Sequence, residues 1–397
     1  MFLLLACSLY VLASGDRSND RSPMDAVMPR YAFLAITVAL SLPLVGTLVS
    51  EIVHGEIVAN TLDSPSRFIM ALVIMFGLRR VSQQLPSWFT FGFPLGAFAA
   101  CVIGMYFAVE LVSTGRRAES TFLNPIHFGD IALLLGILSA MSIHWIKRDN
   151  ALGIAVKLLG ALAGAYASWA SQSRGGWVAL PAVVLICLWV GGKTWSRKAR
   201  VTAIALLCAA IVMPVAFSDT VRTRMFTDVS DDLIKLAHGQ PDTSVGIRIE
   251  LYKSAVNLIA ENPVFGLGAH GFHNAMPSLA AEGSITPLAA EFGQGEVHNQ
   301  ILAYGADYGI LGILSMLAVY FVPAWFFVLC ILRGDGQSRR AGILGLVTAV
   351  SFFVFGLTVE TFNLKVTVAF YATMLAVLAA FAYPCASAGR ATSPERS

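Results

Sequence analysis

"EVHNQILAYGADYGILGILSMLAVYFVPAWFFVLCIL", residues 296–332, decides the fold. Its larger part, 310–332, carries no charged side chain and matches the ~20 apolar residues that a helix needs to cross a bilayer. Such a segment buries its own backbone hydrogen bonds and leaves only apolar side chains outside, so lipid suits it better than water. Apolar runs of the same character recur at 31–50, 67–82, 90–112, 126–146, 151–171, 176–192, 201–217, 341–359 and 365–384, with a shorter one at 2–14. Across 397 residues, 56% are hydrophobic and only 13% charged, about half the charged share of an average soluble domain. The expectation is an all-α polytopic membrane protein with about 11–12 transmembrane helices and one large helical loop outside the membrane. Three regions follow: N-terminal transmembrane helices (1–217), the loop (218–297), and C-terminal transmembrane helices with a cytoplasmic tail (298–397).

Residues 2–14 have the length of a signal-peptide core, but no basic stretch precedes them and no clear cleavage site follows, so they read as a short helix. The cysteines Cys7, Cys101, Cys187, Cys208, Cys330 and Cys385 are scattered, mostly inside apolar runs, and form no CxxC pair. A disulfide framework or a zinc finger is therefore not indicated. The net charge of +3 gives no general affinity for polyanions such as nucleic acid.

Sidedness follows from the basic residues. Arg79-Arg80, Lys147-Arg148, the group Lys193, Arg197, Lys198 and Arg200, and Arg333 with Arg339-Arg340 occupy alternate loops. These loops belong in the cytoplasm. The C-terminus is then inside, and the N-terminus outside if 2–14 spans. The loop 218–297 lies on the opposite side with five basic and ten acidic residues, net −5. A basic residue that recognises an anion there must do so by placement.

Four stretches fall at the same outer level. "RRAESTFLNPIHFGD" (116–130) enters a helix through Asn124-Pro125, where the fixed φ of proline is tolerated. "SQSRGGWVALP" (171–181) sets Arg174 in a Gly-Gly turn between two helices. "SVGIRIELYKSAVNLIAENPVFGLGAHGF" (244–272) begins with Ser244 as the expected N-cap, carries an apolar stripe at helical spacing, and ends at Asn262-Pro263 before Gly266, Gly268 and Gly271. The fourth is the opening stretch with His298.

For each singled-out residue a structural reading stands beside a chemical one. Arg174 is either a snorkelling arginine or a bidentate phosphate ligand in a turn whose glycines admit an anion. Arg248 either offsets the surplus carboxylates or adds to an anion site near a helix N-terminus. Arg116 and Arg117 share the layer without a distinctive turn. His298 either caps its helix or acts as a base near neutral pH. Glu360, in "GLTVETFN", ends a spanning helix on the outer side, as a solvated carboxylate or as a site residue. His270 and His273 raise a metal reading with His298, which the intervening Gly271 and the lack of a carboxylate cluster weaken. Lys157 and His144, near cytoplasmic helix ends, read as snorkelling side chains.

The order of these elements, an SRGG arginine turn, a large external loop with "RIELYKSA…NPVFGLGAHGF" (248–272), then "HNQIL…DYGILG" (298–312), resembles the O-antigen ligase and polymerase superfamily from about residue 65 to 380. The resemblance implies an all-helical membrane glycosyltransferase of the C type, working without metal or cofactor on the periplasmic face of the bacterial inner membrane. Its ligase branch moves O-antigen from undecaprenyl pyrophosphate to the lipid A–core oligosaccharide and so completes lipopolysaccharide. The resemblance further implies that His298 is the general base on the acceptor hydroxyl, that Arg174 and Arg248 hold the donor pyrophosphate, and that Glu360 stands near a late acidic residue of the family. The polymerase, which joins two lipid-linked repeats, and a protein O-oligosaccharyltransferase share these motifs. A polytopic transporter would be expected to show inverted repeats and broken helices at mid-membrane; the conspicuous residues here cluster instead at one surface.

Overall fold

Apolar runs bounded by Asn, Gly and Pro become helices wherever the chain is described. The computed structural model describes residues 1–14, 30–81, 87–114, 118–120, 123–173, 175–191 and 228–383. The helices are α1 (Phe2–Ala13), α2 (Arg30–His54), α3 (Ala59–Val81), α4 (Gly92–Thr114), α5 (Pro125–Met141), α6 (Ala151–Ser171) and α7 (Gly175–Gly191), followed by α8 (Asp228–Ala237), α9 (Ser244–Glu261), α10 (Gly271–Ala281), α11 (Pro287–Gly293), α12 (Gln300–Arg333), α13 (Gly336–Gly356) and α14 (Lys365–Ala382). Among the described residues seven helices, α2, α3, α4, α6, α12, α13 and α14, are long and apolar enough to cross a membrane, and α1, α5 and α7 are shorter apolar helices. The protein is an all-α, multi-pass membrane protein. The expected span 201–217 lies outside the described residues.

Small residues set the closest helix contact. α5 packs on α6, where an added methyl at Gly164 would stand 2.4 Å from the Ala132 carbonyl oxygen. Glycine there lets two backbones approach as in small-xxx-small membrane interfaces. Elsewhere α12 packs on α2 and α13, and α14 on α3 and α13. Tyr320, Phe352, Phe362 and Tyr371 form an aromatic cluster among α12, α13 and α14.

The deciding segment departs from expectation in one respect. α12 begins at Gln300, just after His298, but its 34 residues are broken at Gly309, whose φ of 62° and ψ of −145° are not helical. The loop after α9 satisfies the groups that the break frees. Leu267 and Gly268 donate their N–H groups to the carbonyls of Ala306 (2.9 Å) and Asp307 (2.8 Å), and Ile310 donates to Pro263 (2.8 Å). A buried backbone group left unpaired in the membrane would cost far more than the kink. Gly266 and Gly309 make the contact possible. A Cβ on either would lie about 2.4–2.5 Å from backbone of the other segment, and both adopt positive φ.

On the opposite end of the bundle, Lys157 corrects the snorkelling expectation. It is 1% exposed, ion-paired to Asp149 at 2.8 Å, and donates to the Ser142 carbonyl at 3.0 Å. His144 likewise sits in the α5–α6 turn, where its Nδ1 accepts the Asp149 N–H at 2.9 Å and its own N–H donates to the Asp149 carboxylate at 2.7 Å. The turn folds its acid back onto the lysine, so neither side chain needs to reach for headgroups. Lys157→Met is expected to destabilise the protein by about 3–5 kcal/mol, because it leaves a buried carboxylate unpaired, and Lys157→Met with Asp149→Asn to recover most of that loss. Thermal unfolding in detergent measures both.

Candidate functional site

One end of the bundle collects four separate pieces of chain around His298. The first is the mouth of α12. Asn299 caps it, its Oδ1 accepting the N–H groups of Ile301 and Leu302 at 3.0 and 3.1 Å. That cap turns the preceding residue into the left-handed region, φ 63° at His298, which His tolerates better than most non-glycine residues. The turn aims the His298 Nδ1 at the Glu296 carboxylate, 2.9 Å away. The contact is an ion-pair approach off the angle of a directed hydrogen bond, and the buried Nδ1 has no other partner. The His298 side chain as a whole is 14% exposed, and its Nε2 makes no hydrogen bond with a described residue.

The second piece is the α13–α14 turn carrying Glu360. It is pinned by Tyr320, whose hydroxyl meets Thr361 Oγ1 at 2.7 Å, and by Gln300, which accepts the Phe362 N–H at 2.6 Å. Glu296 and Glu360 then clasp each other's backbone. Glu296 accepts the Glu360 N–H at 3.2 Å, and the Glu360 carboxylate accepts the Val297 N–H. The third piece is the start of α5. Asn124 caps it with Pro125 at the first helical position, as expected, and His127, 3% exposed, places its two ring nitrogens 2.8 Å from Asn124 Oδ1 and 3.1 Å from the Glu360 carbonyl. The fourth is α9, where Tyr252 donates to the carbonyls of His298 (2.9 Å) and Leu357 (3.3 Å). Arg248 lies one turn earlier on the same helix, half-buried, and its charge is felt at the Tyr252 phenol. The N-cap of α9 is Thr243 rather than Ser244, its hydroxyl accepting the Gly246 N–H at 3.1 Å.

The two acids are driven apart electrostatically. Burial alone raises Glu296, but the contact with His298 and the Glu360 N–H outweigh it and hold the carboxyl below its ordinary range. Burial, and then the Glu296 charge beside it, push Glu360 well above 4.5. A carboxyl raised in the fold stabilises the protein while protonated and gives that stability up as pH climbs from 4.5 through the folded value. Glu296 contributes in the opposite sense, its stabilisation fading as pH falls. Glu360→Gln keeps an oxygen for Val297. It is therefore expected to unfold thermally close to wild type at about pH 4.5 and at an increasingly higher temperature than wild type toward about pH 8.

Beside this clasp lies a polar cleft of about 510 Å³ bordered by His270, His273, Glu296, Asp307 and Glu360. A smaller cavity of about 160 Å³ continues it toward Asn60 and Lys365. Glu360 borders both; neither His298 nor Arg248 contributes to their walls. The structure thus joins His298 to Glu360 through Glu296, and to the helix of Arg248 through Tyr252. Arg116, Arg117 and Arg174 lie outside the described residues, although the neighbours of Arg174 are placed: Ser173 donates to Asp130 at 3.0 Å, and Gly175 stands against Thr358 of the same α13–α14 turn. The metal reading loses its geometry. Gly271 starts α10 instead of preventing a helix, leaving His270 outside it with φ 56° and His273 inside, held at 2.6 Å from the Gln294 carbonyl. Among the described residues no three His, Cys, Asp or Glu side chains converge on a metal-sized point.

Glu296, His127 and Tyr252 were not singled out from the sequence. Glu296 had a local signal, two residues before His298 in a segment with few charges. The contact of His127 crosses 233 positions to Glu360 and leaves no trace in spacing.

A multi-pass helical membrane protein with a histidine–carboxylate pair and a polar cleft at one end defines the class. The sequence profile of the O-antigen ligase family matches residues 159–317, from α6 through the break in α12. Over that stretch the chain is similar to the O-antigen ligase family. It is 26% identical over 190 residues to the O-antigen ligase of Escherichia coli, a stretch covering 48% of this chain and 44% of that protein. It is 21% identical over 325 residues to an uncharacterized protein of Haemophilus influenzae, covering 80% of this chain and 78% of that one.

Proposed function

We propose that the protein is an O-antigen ligase of the bacterial inner membrane. It transfers polysaccharide from undecaprenyl pyrophosphate to lipid A–core oligosaccharide at the periplasmic surface, with inversion at the anomeric carbon. The observation that carries this reading is the His298 turn, which sets Nδ1 against the Glu296 carboxylate at 2.9 Å and leaves Nε2 without a hydrogen bond to any described residue. A carboxylate beside Nδ1 favours the tautomer with the proton there, which leaves the Nε2 lone pair to accept a proton from an acceptor hydroxyl. The group expelled from the sugar is a diphosphate that gains negative charge as the C1–O bond breaks. Arg174 and Arg248 are assigned to it, since fixed guanidinium groups near a low-dielectric boundary stabilise developing charge without reorganising. The proton from the acceptor leaves on His298, the new bond forms at C1, and the polyprenyl diphosphate departs. Glu360, raised and clasped to the loop, sets the height of Val297 and His298 and borders the cleft beside them.

Purified protein is incubated in divalent-free buffer with undecaprenyl-pyrophosphoryl glycan and either lipid A–core or a second lipid-linked repeat. A glycan ladder on lipid A–core is the expected product. Elongation of the lipid-linked glycan alone would make the protein a polymerase and overturn the acceptor assignment.

A further inference from the structure

A second cavity opens at the other end of the bundle, remote from the chemistry. Its volume is about 460 Å³, between α5, α7 and α13, with Met141, Cys187, Val190 and Ile343 among its apolar walls and Arg339 and Arg340 at its edge. The two guanidinium groups are held in place by carbonyls. Arg339 donates Nε to Ile331 at 3.2 Å and Nη2 to Val190 at 3.4 Å, and Arg340 donates Nη1 to Ile143 at 2.9 Å and to His144. These bonds leave Nη1 of Arg339 and the whole Nε–Nη2 edge of Arg340 without a described partner. The free edge of Arg340 has the two-pronged geometry that suits a phosphate. Arg339 closes the first turn of α13 and Arg340 follows it, near a helix N-terminus that adds positive potential. Among the described residues no acidic side chain borders the cavity.

We propose that this cavity is a binding site for an anionic glycerophospholipid of the cytoplasmic leaflet, its phosphodiester on Arg339 and Arg340 and a fatty-acyl chain along Cys187, Val190 and Ile343. Walls of this kind exclude a wholly water-soluble anion as the best fit, because apolar area would stay uncovered, and a neutral lipid would leave the arginine donors unmatched. Basic pockets between helices on the cytoplasmic side suit such headgroups. The site is independent of the transfer reaction and survives if that reading fails.

The test uses the full-length protein in phosphatidylcholine nanodiscs, with spin-labelled phosphatidylglycerol or spin-labelled phosphatidylcholine as probe. Wild type is expected to retain phosphatidylglycerol preferentially. The double variant Arg339→Ala, Arg340→Ala is expected to lose about thirtyfold of that preference, from the attraction each basic side chain contributes to an anionic lipid. Because the arginines also brace neighbouring helices, Cys187→Trp serves as the second variant. It fills the acyl path, leaves both guanidiniums intact, and is expected to displace the same probe. Equal retention of the two lipids by wild type, or unchanged preference in Cys187→Trp, would overturn the proposal. So would complete displacement of the probe by millimolar inorganic phosphate, which would make the cavity a phosphate site.

Discussion

His298→Ala is expected to abolish glycan transfer while lipid-linked donor still binds. Removal of a general base costs about 10²–10⁴-fold in rate. The donor diphosphate is assigned to arginines on other segments, so its binding has no reason to fall with the imidazole. One structural effect has to be separated. Position 298 has φ 63°, and alanine pays about 1–2 kcal/mol in that region, so the turn itself is weakened in His298→Ala. His298→Asn supplies the control, because asparagine adopts the left-handed conformation readily and lacks a base of suitable pKa. Both variants are expected to be inactive, with His298→Asn retaining the wild-type melting temperature. Activity in His298→Asn close to wild type would remove His298 from the mechanism.

Arg248→Ala is expected to lower transfer by about 10²–10³-fold, the usual loss when one preorganised donor to a developing charge is removed. Unlike the histidine variants it is expected to weaken donor binding as well, since the diphosphate is charged before the reaction begins. Arg248→Lys keeps the charge but loses the planar, two-pronged donor, and is expected to recover binding better than rate. Arg174→Ala should follow the same pattern. Arg248 also sits one turn before Tyr252, which braces His298 and Leu357, so a purely structural role predicts a different outcome. In that case the melting temperature falls and the surviving folded enzyme keeps wild-type kinetics. Single-turnover assays with saturating donor separate the two.

The fold was legible because lipid imposes a simple rule, a long apolar helix for each crossing, and every expected span within the described residues coincides with a helix. The break in α12 was not, because nothing in the run Gln300–Gly309, with its Asp307 and two glycines, singles out Gly309 as the residue that leaves the helix. The acid is accommodated there by the Phe272 N–H, which donates to it at 2.8 Å, a partner supplied by a distant helix start. Lys157 misled for the same reason. A basic residue near a helix end looks solvated until the turn bearing Asp149 is seen to fold over it. His298, Arg248 and Glu360 stood out as polar residues at one level of a greasy chain. What held them, the reciprocal Glu296–Glu360 clasp and the Tyr252 strut, joins positions 46 to 105 residues apart, and no local pattern encodes such pairings.

The glycine seam between residues 264–268 and 306–310 has a mechanical consequence. A hinge needs a length of chain that can yield, and this junction has none, since each backbone fills the space in which the other would have to move. The rod below and the lobe above consequently lean together. Spanning helices answer a thinner or thicker bilayer by changing their inclination, so the thickness of the surrounding membrane becomes an input to the pose of the imidazole.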